Sequence, residues 1–220
     1  MNAAVPTQRL AVRVVKVGGS LLDWPPLAKA LSNWLAEQPR GIDIVVCGGG
    51  PVTDVIRRLD SDFSLGEEAA HWLCVDALSL TARLLVAILP EATFVEEIEL
   101  LGVILAAHEP STIIFDPREF LTQREALLPG RTLPHTWCAT TDSIAARLAE
   151  VLRADELVLL KSAEPVPGAS LAELATAGYV DGHFPIAGTG VPSVRLVNLR
   201  SYFEATKKPG WSEPAGREFV

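Results

Sequence analysis

A lysine, two glycine clusters, an aspartate and a second lysine are the residues of this chain whose types and spacing could do chemistry. Lys16 stands in "VVKVGGSLL", a β-branched run that opens into Gly18, Gly19 and Ser20. "CGGG" repeats the pattern at Gly48, Gly49 and Gly50. "WCATTDSIAARLA" places Thr141, Asp142 and Ser143 at the head of an amphipathic repeat, and "LVLLKS" ends in Lys161 and Ser162. Glycine lets backbone N–H groups close around phosphate oxygens, a following helix turns its positive end toward them, and lysine adds a point charge. Such residues suit the holding of one long anionic ligand, or of two that face each other. Each stretch also has a plainer use. Glycine pairs make tight turns, Thr and Asp cap helices, and a lysine at a strand end commonly reaches solvent.

Alternating strands and helices must position these residues. Residues 10–17 read as a valine-rich strand, and Trp24, Leu27, Leu31, Trp34 and Leu35 share one face of a following helix. "IDIVVCGGG" is a second buried strand, and "PVTDVIRRLD" a helix after it. A longer helix is expected over 66–89, with Leu73, Ala77, Leu80, Leu84 and Ile88 on one stripe. "GVILAA" (102–107) and "TIIF" (112–115) are expected as short strands. Residues 140–154 carry a capping signal and a helical repeat, 156–160 a buried strand, 171–177 a short helix and 194–199 a last strand. The pattern predicts an α/β fold, a three-layer α/β/α sandwich with a mainly parallel central sheet. It predicts a single domain over 1–205 and a flexible tail over 206–220.

Composition narrows the functions. The 220 residues are 49% apolar and 21% charged, with a net charge of -8. That balance opposes a general nucleic-acid surface. Cys47, Cys74 and Cys138 form neither a disulfide framework nor a zinc spacing, which points to a reducing cytoplasm. The first residues lack the apolar core of a signal peptide, and "LLGVILAA" is too short to cross a bilayer, so no membrane partner is expected. No GxxxxGK[ST] is present, no GxGxxG follows the first strand, and the protein-kinase signature segments are absent.

"VKVGGSLL", "CGGGPVTDVIR", "TTDSIAARLAEVL" and "LVLLKS", in that order, resemble the amino acid kinase superfamily, which includes aspartate, glutamate, acetylglutamate and uridylate kinases. The resemblance covers about residues 12–200. Within it the chain looks closest to the group that phosphorylates (aminomethyl)furanmethyl phosphate in methanofuran biosynthesis. "PVTDVIRRLD", with Arg57 and Asp60, is similar to that group. So are "HTWCATTDS", with His135, Trp137, Thr140, Asp142 and Ser143, and "VDGHFP" at 180–185.

The resemblance implies an ATP-dependent phosphotransferase whose small acceptor becomes a diphosphate. It implies Lys16 on the transferred phosphates, Asp142 orienting it, and Lys161 as a second cation. Gly18, Gly19, Ser20, Gly48, Gly49, Gly50, Thr141, Ser143 and Ser162 would surround the phosphates and nucleotide. An acceptor with an ammonium and a phosphate needs a carboxylate and a cation: Asp54, Asp60 and Asp76 are candidates for the first, Arg57 and Arg83 for the second, and His135 would meet the acceptor through its family match. Mg²⁺ would arrive on the ATP, with no metal site of the protein's own, and a homo-oligomer is expected. Related kinases usually read T-D-x-D-G where this chain reads "KSAEP". Another acceptor of the superfamily, or a non-catalytic nucleotide- or anion-binding protein on the same fold, are the alternatives.

Overall fold

The structure, a computed structural model, describes residues 9–206. Six strands form one sheet in the order β3-β4-β2-β1-β5-β6. They are β1 (Ala11–Val17), β2 (Gly41–Cys47), β3 (Thr93–Val95), β4 (Ser111–Phe115), β5 (Glu156–Lys161) and β6 (Val194–Asn198). All five pairings are parallel. A parallel sheet needs crossover helices, and these cover both faces. They are α1 (Leu27–Glu37), α2 (Gly50–Phe63), α3 (Glu67–Ile88), α4 (Ile98–Ala107), α5 (Thr141–Leu152), α6 (Leu171–Thr176), α7 (Phe184–Ala187) and α8 (Leu199–Thr206).

Strand alternation divides the core. Val12 and Val14 pack on one face with Val75 and Leu78 of α3 and Ile144 and Leu148 of α5. Val15 and Val17 pack on the other with Leu27 and Leu31 of α1 and Leu199 and Phe203 of α8. Lys16 alternates with Val15 and Val17, so it points to the α5 side. β1 lies between β2 and β5, with Lys16 level with Val46 and Leu159. The loops after β1, β2 and β5 therefore emerge side by side, where open α/β sheets bind ligands.

Several expectations are corrected. "GVILAA" is not a strand but the end of α4, which enters behind Glu97 and stops at left-handed His108. β3, α7 and α8 were not anticipated. The last strand ends at Asn198, and Leu199 opens α8, whose Leu199 and Phe203 are fully buried. The stripe expected on α3 faces mostly outward, with Leu80 58% exposed and Leu73 and Leu84 also exposed. Ala77 of that stripe is buried, on a face it shares with Ala70, Val75, Leu78, Ala82 and Leu85. By length and composition α3 alone among the described residues could cross a bilayer. The expected tail lies outside the described residues except Thr206, which closes α8.

Candidate active site

Two lysines converge on one carboxylate at the C-terminal edge of the sheet. Lys161, at the end of β5, donates to Asp142 Oδ2 at 2.6 Å. Lys16 Nζ lies 2.8 Å from Oδ1, an ion pair off the line of a hydrogen bond. Lys16 and Asp142 are buried, and Lys161 nearly so. Burial works to raise the Asp142 pKa, but the two lysine charges outweigh it and hold the carboxyl below its ordinary value. Burial, and then the charge of Lys16, lower the Lys161 ammonium to about 8 against the pull of Asp142.

The glycine loops lie directly against one another. A Cβ on Gly19 would sit 2.5 Å from the Gly50 nitrogen, and Gly50 has a positive φ of 54°. A Cβ on Gly50 would in turn sit 2.8 Å from Gly19 O, so the close approach requires glycine on both sides, and the left-handed backbone suits it. The amides of Gly18 and Gly48 do not face outward: they donate to Leu160 O at 2.8 Å and Val17 O at 2.9 Å. These two glycines therefore extend the sheet, and their N–H groups are not available to a phosphate. Across the edge, the hydroxyls of Ser20 and Ser162 meet at 2.7 Å.

Asp142 occupies the first turn of α5 but does not cap it. The cap comes from Asp181, far along the chain. Asp181 accepts from the Thr140 amide at 2.8 Å, the Thr140 hydroxyl at 2.9 Å, the Ser143 amide at 3.0 Å and the Ser143 hydroxyl at 2.5 Å. It also accepts from the amides of His183 and Phe184. This frees Asp142 to turn toward the lysines and pins Ser143, which is fully buried, away from the cleft. The sequence signal was the aspartate of "VDGHFP", whose partners only the tertiary structure supplies.

A cleft of about 380 Å³ opens beside this edge. Lys16, Gly19, Ser20, Gly48, Gly49, Gly50, Asp54, Arg57 and Thr141 line it, and Gly18, His135, Asp142, Ser143, Lys161 and Ser162 do not. His71, Cys74, Val75, Leu78, Trp137 and Ile144, not proposed from the sequence as site residues, are also part of its wall. Asp54 and Arg57 pair with each other at 2.8 Å on the exposed side of α2. His135 stacks on His71, with ring centroids 4.9 Å apart. Burial, and then His135, lower the His71 pKa to about 4, against Glu68. On the β5 side, the Lys161 ammonium lies 5.5 Å from the centre of the Tyr179 ring, and Glu164 accepts from Asn198 at 2.9 Å. "KSAEP" is therefore tied to its surroundings by Ser20, Asn198 and the Tyr179 hydroxyl on Ala163.

Comparison with known proteins agrees with this geometry. The chain is 24% identical over 203 residues to the [5-(aminomethyl)furan-3-yl]methyl phosphate kinase of Methanocaldococcus jannaschii, covering 90% of this chain and 89% of that one. It is 30% identical over 161 residues to the uridylate kinase of Methanococcoides burtonii, covering 70% and 60% of the two chains. The crystal structure of the Archaeoglobus fulgidus uridylate kinase superposes with a TM-score of 0.58 at 19% identity, covering 89% of this chain and 95% of that one. The sequence profile of the amino acid kinase family matches residues 11–167. With its glycine loops, buried lysine–aspartate cluster and parallel sheet, the chain belongs to the amino acid kinase family and is a kinase.

Proposed function

We propose that the chain transfers the γ-phosphoryl group of ATP to the phosphate of a small acceptor, [5-(aminomethyl)furan-3-yl]methyl phosphate before others. One observation carries the reading: two lysines meet a single buried carboxylate where both glycine loops converge. An acceptor phosphate oxygen attacks the γ-phosphorus as the bond to the ADP oxygen breaks. That oxygen is already ionised, so no proton needs a base. Charge spreads over the peripheral oxygens, and catalysis consists of positioning and electrostatics. Lys16 stabilises that charge, Asp142 orients both lysines, and Lys161 approaches from the donor side with Ser162.

The cleft edge formed by Gly19, Ser20, Gly49, Gly50 and Thr141 holds the phosphates in this reading. Asp54 is the partner for the acceptor ammonium and Arg57 for its phosphate, each giving up its present pairing. Among the described residues no group of three His, Cys, Asp or Glu could hold a metal. Mg²⁺ is accordingly assigned to the ATP phosphates and water, where it would neutralise developing charge. Residues 1–205 act as one kinase domain. The outward leucines of α3 support self-association, and the free Cys47, Cys74 and Cys138 support a cytoplasmic setting.

Uridylate is the second acceptor to test, because the Methanococcoides burtonii relative is a uridylate kinase at higher identity over a shorter span. Phosphorus NMR with ATP–Mg²⁺ and each acceptor decides. The expected result is a diphosphate resonance with the furan acceptor and ADP release that depends on it. ADP release independent of any acceptor overturns the reading.

A further inference from the structure

The geometry points to Asp60 as a positioning residue that sets acceptor recognition through Trp137. Residues 133–139 form a strap that runs beside α2 and α3 before entering α5. Long-range contacts hold it there. The Trp137 indole N–H donates to Asp60 Oδ2 at 2.9 Å. The Arg57 guanidinium lies 4.9 Å from the Trp137 ring centre. His135 stacks on His71 and meets Trp72 edge-on at 4.7 Å.

Asp60 anchors both sides of this contact. Its other oxygen accepts the Gly66 amide at 3.0 Å, in the turn between α2 and α3. Ser64 and Gly66 take positive φ there, so the turn has one defined shape. A single carboxylate thus ties the strap to the helix pair. Both its oxygens are engaged, and Asp60 does not line the cleft, which separates it from a direct partner of the acceptor ammonium. Trp137 does line the cleft, with Arg57 and His71. An indole with its N–H fixed has one orientation, and that orientation sets the width of the wall.

This inference rests on the reading that the cleft takes the acceptor. Steady-state kinetics with ATP–Mg²⁺ and [5-(aminomethyl)furan-3-yl]methyl phosphate test it. Asp60→Ala should raise the acceptor KM about tenfold, with kcat within about twofold and the ATP KM unchanged. Asp60→Asn keeps one acceptor oxygen for the indole proton but turns an NH2 donor toward the Gly66 amide, so it should recover part of the loss seen in Asp60→Ala. Trp137→Phe should raise the acceptor KM, and adding Asp60→Ala to it should do no further harm. An unchanged acceptor KM in Asp60→Ala, a loss confined to kcat or the ATP KM, or additive effects in the double variant would overturn the assignment. The wild-type control separates the failures. A wild type that phosphorylates no such acceptor overturns the proposed acceptor and this inference together. An active wild type with unaltered variants overturns this inference alone.

Discussion

β1 carries two buried cations, and they are used in opposite ways. Arg13 lies toward the start of the strand on the α1 side, Lys16 near its end on the α5 side. Arg13 is bonded within the fold: Nε meets Asp43 at 2.6 Å, and Nη2 meets Asp43 at 3.2 Å and Pro39 O at 2.7 Å. One cation faces one carboxylate. At the other end one carboxylate faces two cations, and an ammonium has three donors of which Asp142 needs one. The carboxyls register the difference. Burial of Asp43, with the charge of Glu156, outweighs Arg13 and the more weakly acting Arg195 and raises its pKa, whereas two lysines outweigh the burial of Asp142 and lower it. A one-to-one pair holds a fold together, and a carboxylate outnumbered by cations leaves donors for an incoming anion.

Separate variants should pull the two ends apart. Arg13→Ala leaves Asp43 buried without its cation and should cost about 3–5 kcal/mol of stability, read by denaturant unfolding. The kcat of the folded fraction should stay near wild type, and an equal fall in kcat would break the distinction. Lys16→Ala should do the reverse. Its kcat should fall about 100- to 1,000-fold while the unfolding midpoint moves little, because Lys161 still pairs with Asp142. A large stability loss there would make the upper cluster structural as well.

The smallest expected effect is a pH dependence with two signs. Lys161 loses its proton near pH about 8 in the folded chain, against an ordinary value of 10.5. Activity that needs the ammonium should fall as pH rises through about 8. Stability should move the other way. Between about 8 and 10.5 the unfolded chain binds the extra proton, so this group makes the folded state more stable as pH rises. Paired rate and unfolding profiles check both slopes. A rate that stays flat through this window would remove Lys161 from the transfer step.

The sequence reading reached the sheet from local order and the cluster from the family resemblance. A valine run, then glycines, then an amphipathic repeat state strand, loop and helix within a few residues, and parallel connection brings the strand ends together. Lys16, Asp142 and Lys161 were grouped by the family resemblance, because locally an aspartate at a helix start reads as a cap and a lysine at a strand end as a surface residue. α4 was misread because an unbroken apolar run has no period to separate helix from strand. α3 has two apolar stripes, and composition does not say which one is buried: Val75, Leu78 and Leu85 are, and Leu73, Leu80 and Leu84 are not. The hold of Asp181 on α5 and that of Asp60 on Trp137 span 38–41 and 77 positions. Such contacts leave no local pattern, and His135 was assigned to the acceptor although its stacking partner is His71.

The contact between Gly19 and Gly50 has one more consequence. Because the two loops touch through backbone, the gap between the phosphates they would serve is inherited from strand register, with no side chain available to adjust it. The strap and the face of α2, by contrast, bring Trp137, Arg57 and Asp54 to the cleft. A lineage could therefore exchange one acceptor for another by replacing Trp137, Arg57 or Asp54 while the transfer distance stayed where the glycines had set it.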